Sequence, residues 1–100
     1  MNVNVSQDGE QLTAVVTGEV DADNCELLGA EIEPALTDDV TTLVIEGSRL
    51  SFIDSSGITE LLRIRDVMQE RGGECRLEAP TEQVRRILEI TGLADAFAVN

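Results

Sequence analysis

A short polar segment, Asp54-Ser55-Ser56-Gly57, holds the side chains best suited to chemistry in this sequence of 100 residues. It follows the apolar run Leu50–Ile53 and precedes apolar residues at helical spacing, so it marks a turn from a buried strand into an amphipathic helix. Hydroxyls at a helix N-terminus suit the free backbone N–H groups, and the helix dipole favours an anion there. Two interpretations therefore stand together: the serines only cap the helix, or one of them accepts a phosphoryl group from a partner kinase.

Catalysis by this segment is not expected. Asp54 and Ser55 could form part of a hydrolase triad, but the sequence has no histidine to take the serine proton. Its seven basic residues are all arginines, which do not deprotonate in proteins. Cys25 and Cys75 do not make a metal-binding pattern, and we expect both to be packing residues. The sequence therefore predicts no enzyme, no cofactor and no metal site.

The net charge of −13, from 20 acidic and 7 basic residues, restricts the class of partner. An acidic surface disfavours nucleic acid and anionic membranes, which attract basic proteins. It suits a basic protein partner, although solubility alone would also explain it. No apolar run approaches the roughly 20 residues of a membrane span, and no signal-peptide pattern is present. We therefore expect a cytoplasmic monomer, folded as a single domain over residues 1–100.

The elements that must position the polar segment alternate between strands and helices. Periodicity predicts strands over residues 2–6, 12–17, 41–46, 50–53, 74–79 and 96–99, and helices over residues 24–36, 56–71 and 81–90. Asp8-Gly9 is typical of a hairpin turn, and Pro34 should bend the first helix or end it early. Asp21, Asp23 and Asn24 are alternative caps for that helix. The order predicts an α/β fold, with a mixed, largely parallel sheet, an N-terminal β-hairpin and about three helices mainly on one face.

Three motifs, in this order of elements, resemble those of the STAS domain and, within it, of the bacterial anti-sigma factor antagonists. Residues 18–21 (GEVD) match the family's G-E-[LIV]-D, and residues 52–57 (FIDSSG) match its F-[IM]-D-S-[ST]-G. Gly72-Gly73 before a strand, and residues 87–93 (ILEITGL), match a later G-G and a helix ending in [ST]-G-L. The resemblance covers nearly the whole chain.

The resemblance implies a partner-switching mechanism. In that family the unmodified antagonist binds an anti-sigma factor that is a serine kinase with a GHKL-type ATP site, and the sigma factor is freed. The kinase then phosphorylates the serine after the motif's aspartate, the complex separates, and a phosphatase resets it. On this sequence the acceptor is Ser55, with Ser56 as second choice and expected helix cap. The implied partner-binding residues are Asp21, Asp54, Ser55, Ser56, Gly57 and Thr59.

Two departures and one alternative follow from the same resemblance. Thr59 stands where the family often has glycine, and it either tunes partner fit or has no effect. Family antagonists often continue into a last helix after the final strand, whereas this sequence stops at Asn100. We expect that helix to be missing or very short, which would expose part of the sheet or leave a free edge for a partner. The alternative function is a non-phosphorylated STAS subunit that docks onto a transporter or another signalling complex. Such subunits often lack the Asp-Ser-Ser tripeptide, so its presence favours the antagonist.

Overall fold

Within the part of the chain that the structure describes, six strands and three α-helices follow one another in the predicted order. The structure is a computed structural model that describes residues 1–99, so Asn100, the last residue of the predicted domain, lies outside the described residues. The strands are β1 (Asn2–Asp8), β2 (Gln11–Val20), β3 (Thr42–Glu46), β4 (Leu50–Ile53), β5 (Glu74–Glu78) and β6 (Ala98–Val99). The helices are α1 (Glu26–Ile32), α2 (Ser55–Glu70) and α3 (Glu82–Ile90), with short 3₁₀ turns at Glu33–Ala35 and Ala94–Ala96.

One mixed sheet contains all six strands, which confirms the predicted N-terminal hairpin and the largely parallel pairing. β1 runs antiparallel to β2, and β2, β3, β5 and β6 lie side by side in parallel. β4 branches from this order and pairs in parallel with the end of β2. The pairing shifts between Gly18 and Glu19, where Gly18 has a φ of +99°, a value that glycine adopts without strain. The last residues of β2 therefore run beside β4.

The hydrophobic core lies on one face of this sheet. Alternate residues of a strand point to the same face, and the central strands place their buried apolar residues, except Val44, on the helix side. These residues are Leu12, Ala14, Val16, Leu43, Ile45, Cys75 and Leu77. Buried residues from all three helices join the same core, among them Leu28, Ile32, Leu61, Ile64, Met68, Val84 and Leu88. The helices therefore cover mainly one face, as the sequence predicts.

The first helix is shorter than the predicted range of residues 24–36. α1 begins at Glu26, and the preceding residue, Cys25, makes no side-chain cap. The prediction that Asp21, Asp23 or Asn24 caps this helix is therefore wrong, because these residues form a separate turn before it. The α-helix ends at Ile32 and a 3₁₀ turn containing Pro34 follows, which confirms the predicted early end. No helix within residues 1–99 is long and apolar enough to cross a membrane.

Candidate functional site

Asp54 caps the N-terminus of α2. Its backbone is extended, and its Oδ1 atom accepts a hydrogen bond from the N–H of Gly57 at 3.0 Å. The prediction that Ser56 is the cap is wrong, because Ser56 is already the second residue of the helix. A capping side chain must come from the residue that precedes the helical turn, where its oxygen can reach the free N–H groups. Asp54 is half-buried, so its carboxylate also borders the surface.

Gly57 brings the first turn of α2 directly onto the sheet. A Cβ atom at this position would lie 2.6 Å from Cγ1 of Ile53 and 2.7 Å from Cγ1 of Val20, closer than two carbon atoms can pack. Both neighbours are fully buried at the ends of β4 and β2. Gly57 is itself buried, so it offers a partner no side-chain surface. Gly57 instead allows the first turn of α2 to approach the sheet closely, and this approach sets the position of residues 54–56.

The ends of β2 and β4 place two carboxylates at one edge of the sheet. Val20 and Ile53 are register partners in parallel strands, and Asp21 and Asp54 are the next residues along the chain. The N–H of Asp54 donates a hydrogen bond to the carbonyl oxygen of Val20 at 3.1 Å, which fixes the two strand ends together. Because parallel strands end at the same edge, Asp21 and Asp54 emerge on the same side of the molecule.

Asp21 is held by a compact turn that the sequence did not assign to the site. Its Oδ1 atom accepts a hydrogen bond from the N–H of Asp23 at 3.0 Å. Asn24 accepts from the N–H of Asp21 at 2.9 Å and donates to the carbonyl oxygen of Glu19 at 2.9 Å. Asn24 therefore positions Asp21 and does not cap α1, although its residue type predicted a cap. The available signal was an Asp and an Asn three residues apart, a spacing typical of side-chain-stabilised turns.

Ser55 is the exposed first residue of α2. Within residues 1–99, the backbone N–H groups of Ser55 and Ser56 have no hydrogen-bond acceptor, as expected for the first turn of a helix. Thr59 is exposed one turn further along, and its hydroxyl donates to the carbonyl oxygen of Ser55 at 2.9 Å. Ser56 is half-buried. Of the two serines, Ser55 is therefore the more accessible to an enzyme.

The acidic groups around Ser55 are not neutralised by the chain itself. Over the described residues, no ion pair involves Asp21, Asp23 or Asp54. Such an edge attracts a cationic side chain from a partner and opposes a second anion brought into the same interface.

An ion-pair cluster joins α2 to the end of α1. Arg63 donates from Nε and Nη2 to the two carboxylate oxygens of Glu60, at 2.9 and 2.8 Å, and from Nη1 to Glu33. The hydrogen bonds that Arg63 donates to Glu60 lower the pKa of the Glu60 carboxyl, and those that it donates to Glu60 and Glu33 raise the pKa of Arg63. A bidentate arginine pair of this kind fixes orientation as well as charge. The cluster therefore holds the helix that carries Ser55 against its neighbour.

The chain is similar in sequence and in fold to STAS-domain proteins. A family model of the STAS domain matches residues 2–100. The anti-sigma-B factor antagonist of Bacillus subtilis (strain 168) is 27% identical over 100 residues, which span all of this chain and 91% of that protein. The structure of the anti-sigma factor antagonist SpoIIAA in its unphosphorylated form is 27% identical, with a TM-score of 0.83 over 99% of this chain and 88% of that one.

The phosphorylated form of SpoIIAA, described as a Bacillus cell fate determinant, has also been solved. It is 26% identical to this chain, with a TM-score of 0.75 over 99% of this chain and 91% of that one.

Proposed function

The chain belongs to the STAS domain family, and we propose that it is an anti-sigma factor antagonist, released from its partner by phosphorylation of Ser55. The partner is an anti-sigma factor with serine kinase activity of the GHKL type, and a phosphatase restores the free hydroxyl. The chain is thus a binding protein and a kinase substrate rather than an enzyme. Its similarity over nearly the full length of two antagonists supports the general function. A phosphorylated form of one relative supports the switch.

The observation that carries this proposal is the exposed hydroxyl of Ser55 beside two uncompensated carboxylates. Asp54 caps the helix that Ser55 begins, and Asp21 leaves the adjacent strand at the same edge. Asp21, Asp54, Ser55 and Thr59 form the proposed docking surface. Ser56 and Gly57 support this surface from the first turn of α2. In the unmodified protein the two carboxylates receive a basic side chain from the kinase.

Phosphorylation should stabilise the free protein and destabilise the complex with the kinase. A phosphate on Ser55 adds a charge of about −1.5 to −2 at neutral pH. In the free protein the N-terminus of α2 stabilises that charge, because the N–H groups of Ser55 and Ser56 are unpaired within residues 1–99 and the helix dipole is positive there. In the complex the same phosphate is desolvated beside Asp54 and Asp21. Both effects favour separation of the complex.

Calorimetry with a purified GHKL-type kinase from the same genome tests the proposal. The unmodified chain should bind, and Ser55→Asp should weaken the affinity at least about tenfold, or about 1.4 kcal/mol. Ser6→Asp is the matched control, since it adds the same charge at an exposed serine on β1 and should leave the affinity unchanged. Equal affinities for Ser55→Asp and Ser6→Asp would refute the charge switch. Absence of binding to any such kinase would favour the docking-subunit alternative.

A further inference from the structure

A free sheet edge runs along β1. This strand pairs with β2 on one side, and six of its seven residues are exposed. Among the described strands, none pairs with its other side. The N–H and C=O groups on the open side of an edge strand form a template for pairing with another strand.

The usual protection of such an edge is missing from β1. Exposed edges are commonly blunted by lysine, proline, a bulge or inward-pointing charge. From Asn2 to Gln7 the strand contains no charged residue and no proline, and its pairing with β2 is regular. Asp8, at its end, is the one charged residue of the strand. In a chain with a net charge of −13, this uncharged segment is where a second acidic molecule approaches with little repulsion.

Apolar side chains flank the same edge on the helix side of the sheet. Val3 and Val5 are register partners of Val16 and Ala14, which are buried in the core, so all four point to that side. Val5 is nevertheless 39% exposed, and Leu27 on the adjacent helix α1 is 46% exposed. A cavity of about 120 Å³ beside the strand is lined by Met1, Asn2, Val3, Leu27 and Glu31. Two of the three large apolar side chains exposed among the described residues therefore border β1.

We propose that β1 pairs antiparallel with β1 of a second copy, which forms a two-fold symmetric dimer with one continuous sheet. The strand is self-complementary, because its odd-numbered residues point to the helix side and its even-numbered residues point away. A two-fold axis that runs between the two β1 strands, perpendicular to the sheet, places Val3 and Val5 of one copy beside Val5 and Val3 of the second copy. Leu27 of each copy covers them from α1. The polar residues Asn2, Asn4 and Ser6 meet their counterparts on the other face.

The size and charge of this interface set the strength of the dimer. A single seven-residue strand with one flanking side chain buries less than the roughly 1,200 Å² typical of stable complexes, so the pairing is weak and reversible. At low concentration the chain is the monomer that the sequence predicts. Since both copies carry −13, screening by salt strengthens the association. That direction is opposite to the one expected for binding a basic partner.

Sedimentation equilibrium over a wide concentration range, at low and high salt, tests the proposal without any kinase. The mass should rise from 10.8 kDa towards twice that value, at lower protein concentration when salt is high. Val5→Lys should weaken the association about tenfold or more, because it adds like charge to both sides of the pair. Ile90→Lys is the matched control, since Ile90 is 78% exposed on α3, and it should behave as the unmodified chain.

Hydrogen exchange provides a second readout that does not depend on a variant. Amide protection in β1 should rise with protein concentration, whereas α3 should be unchanged. A mass of 10.8 kDa at every concentration and salt level would overturn the proposal. So would an association that Val5→Lys leaves intact, because the contact would then lie elsewhere. Neither result bears on phosphorylation of Ser55, which is measured separately.

Discussion

The N–H of Asp54 donates a hydrogen bond to the carbonyl oxygen of Val20 at 3.1 Å, and this contact locks the end of β4 to the end of β2. It sets the starting point of α2, because Asp54 is also the residue that caps that helix. It also brings Asp21, the next residue after Val20, to the edge from which Ser55 is presented. The position of Ser55, the proposed acceptor, is thus fixed by the ends of β2 and β4 and by the first turn of α2, rather than by an unsupported loop.

Substitutions at Asp54 should separate its role as the cap of α2 from its proposed role as a charge that binds the kinase. Asp54→Asn keeps an oxygen that accepts from Gly57 but removes the charge, so the stability should change by less than about 0.5 kcal/mol. Asp54→Ala should cost about 1 kcal/mol of unfolding free energy through loss of the cap. Both should weaken kinase binding about tenfold. Urea unfolding and calorimetry measure these quantities, and equal destabilisation by Asn and Ala would show that the cap is not what Asp54 supplies.

Gly57→Ala should destabilise the fold by about 1–3 kcal/mol, because the new Cβ overlaps the side chains of Ile53 and Val20. Ser56→Ala is the neighbouring control and should stay within about 0.5 kcal/mol of the unmodified chain. Urea midpoints of the two variants give the comparison. A Gly57→Ala variant as stable as the Ser56→Ala control would mean that α2 does not need this close approach to the sheet.

The Arg63 cluster should make stability depend on acid pH. The pKa of Glu60 is lowered in the folded state, so its contribution is complete above the ordinary value of 4.5 and is lost as pH falls through the lower folded value. Arg63→Gln should cost about 0.5–1 kcal/mol at neutral pH, a modest figure because the Arg63 side chain is 47% exposed. The difference should vanish once the carboxylates are protonated.

Arg86→Gln is the control for that series, because Arg86 pairs with Glu82 at 3.3 Å on α3 and the two side chains are 69% and 86% exposed. Its effect at neutral pH should be smaller than that of Arg63→Gln. Thermal unfolding from neutral to acid pH gives both curves. A constant cost for Arg63→Gln at every pH would indicate that packing, and not the charge on Glu60, is what the arginine contributes.

Thiol labelling should distinguish the two cysteines. Burial raises the pKa of Cys75 to about 12, and the thiolate is the reactive species, so Cys75 should resist alkylation at pH 8 in the folded protein. Cys25 is only half-buried and should react. Mass spectrometry should find one label on the native chain and two in urea. Rapid double labelling without denaturant would contradict the interpretation of Cys75 as a packing residue.

The order of elements was predictable because each strand and helix carries its own hydrophobic period. The cap of α2 was not, since Asp54, Ser55 and Ser56 can each accept a hydrogen bond and a one-residue shift in the helix start decides among them. The turn of Asp21 and Asn24 was not predicted for the same reason. Their side chains could each cap a helix, but they accept hydrogen bonds from backbone N–H groups before α1 begins. Local patterns therefore predicted candidate residues for a site but not which side chain caps α2.

Contacts between residues that are far apart in the chain could not be predicted from the sequence either. Glu60 and Arg63 are neighbours on one helix, but their connection to Glu33, 30 residues earlier than Arg63, depends on how α1 packs on α2. The branch of β4 from β2 depends on the pairing shift at Gly18, which is likewise a tertiary feature. Propensity and periodicity describe single elements and do not fix such register.

The most direct measurement is the mass of the chain after incubation with a GHKL-type kinase and ATP. We expect the unmodified protein and Ser56→Ala to gain one phosphate each and Ser55→Ala to gain none. Circular dichroism should show that all three are folded, because neither serine side chain caps the helix. Phosphorylation of Ser55→Ala to the same extent as the unmodified chain would contradict the assignment of Ser55 as the switch.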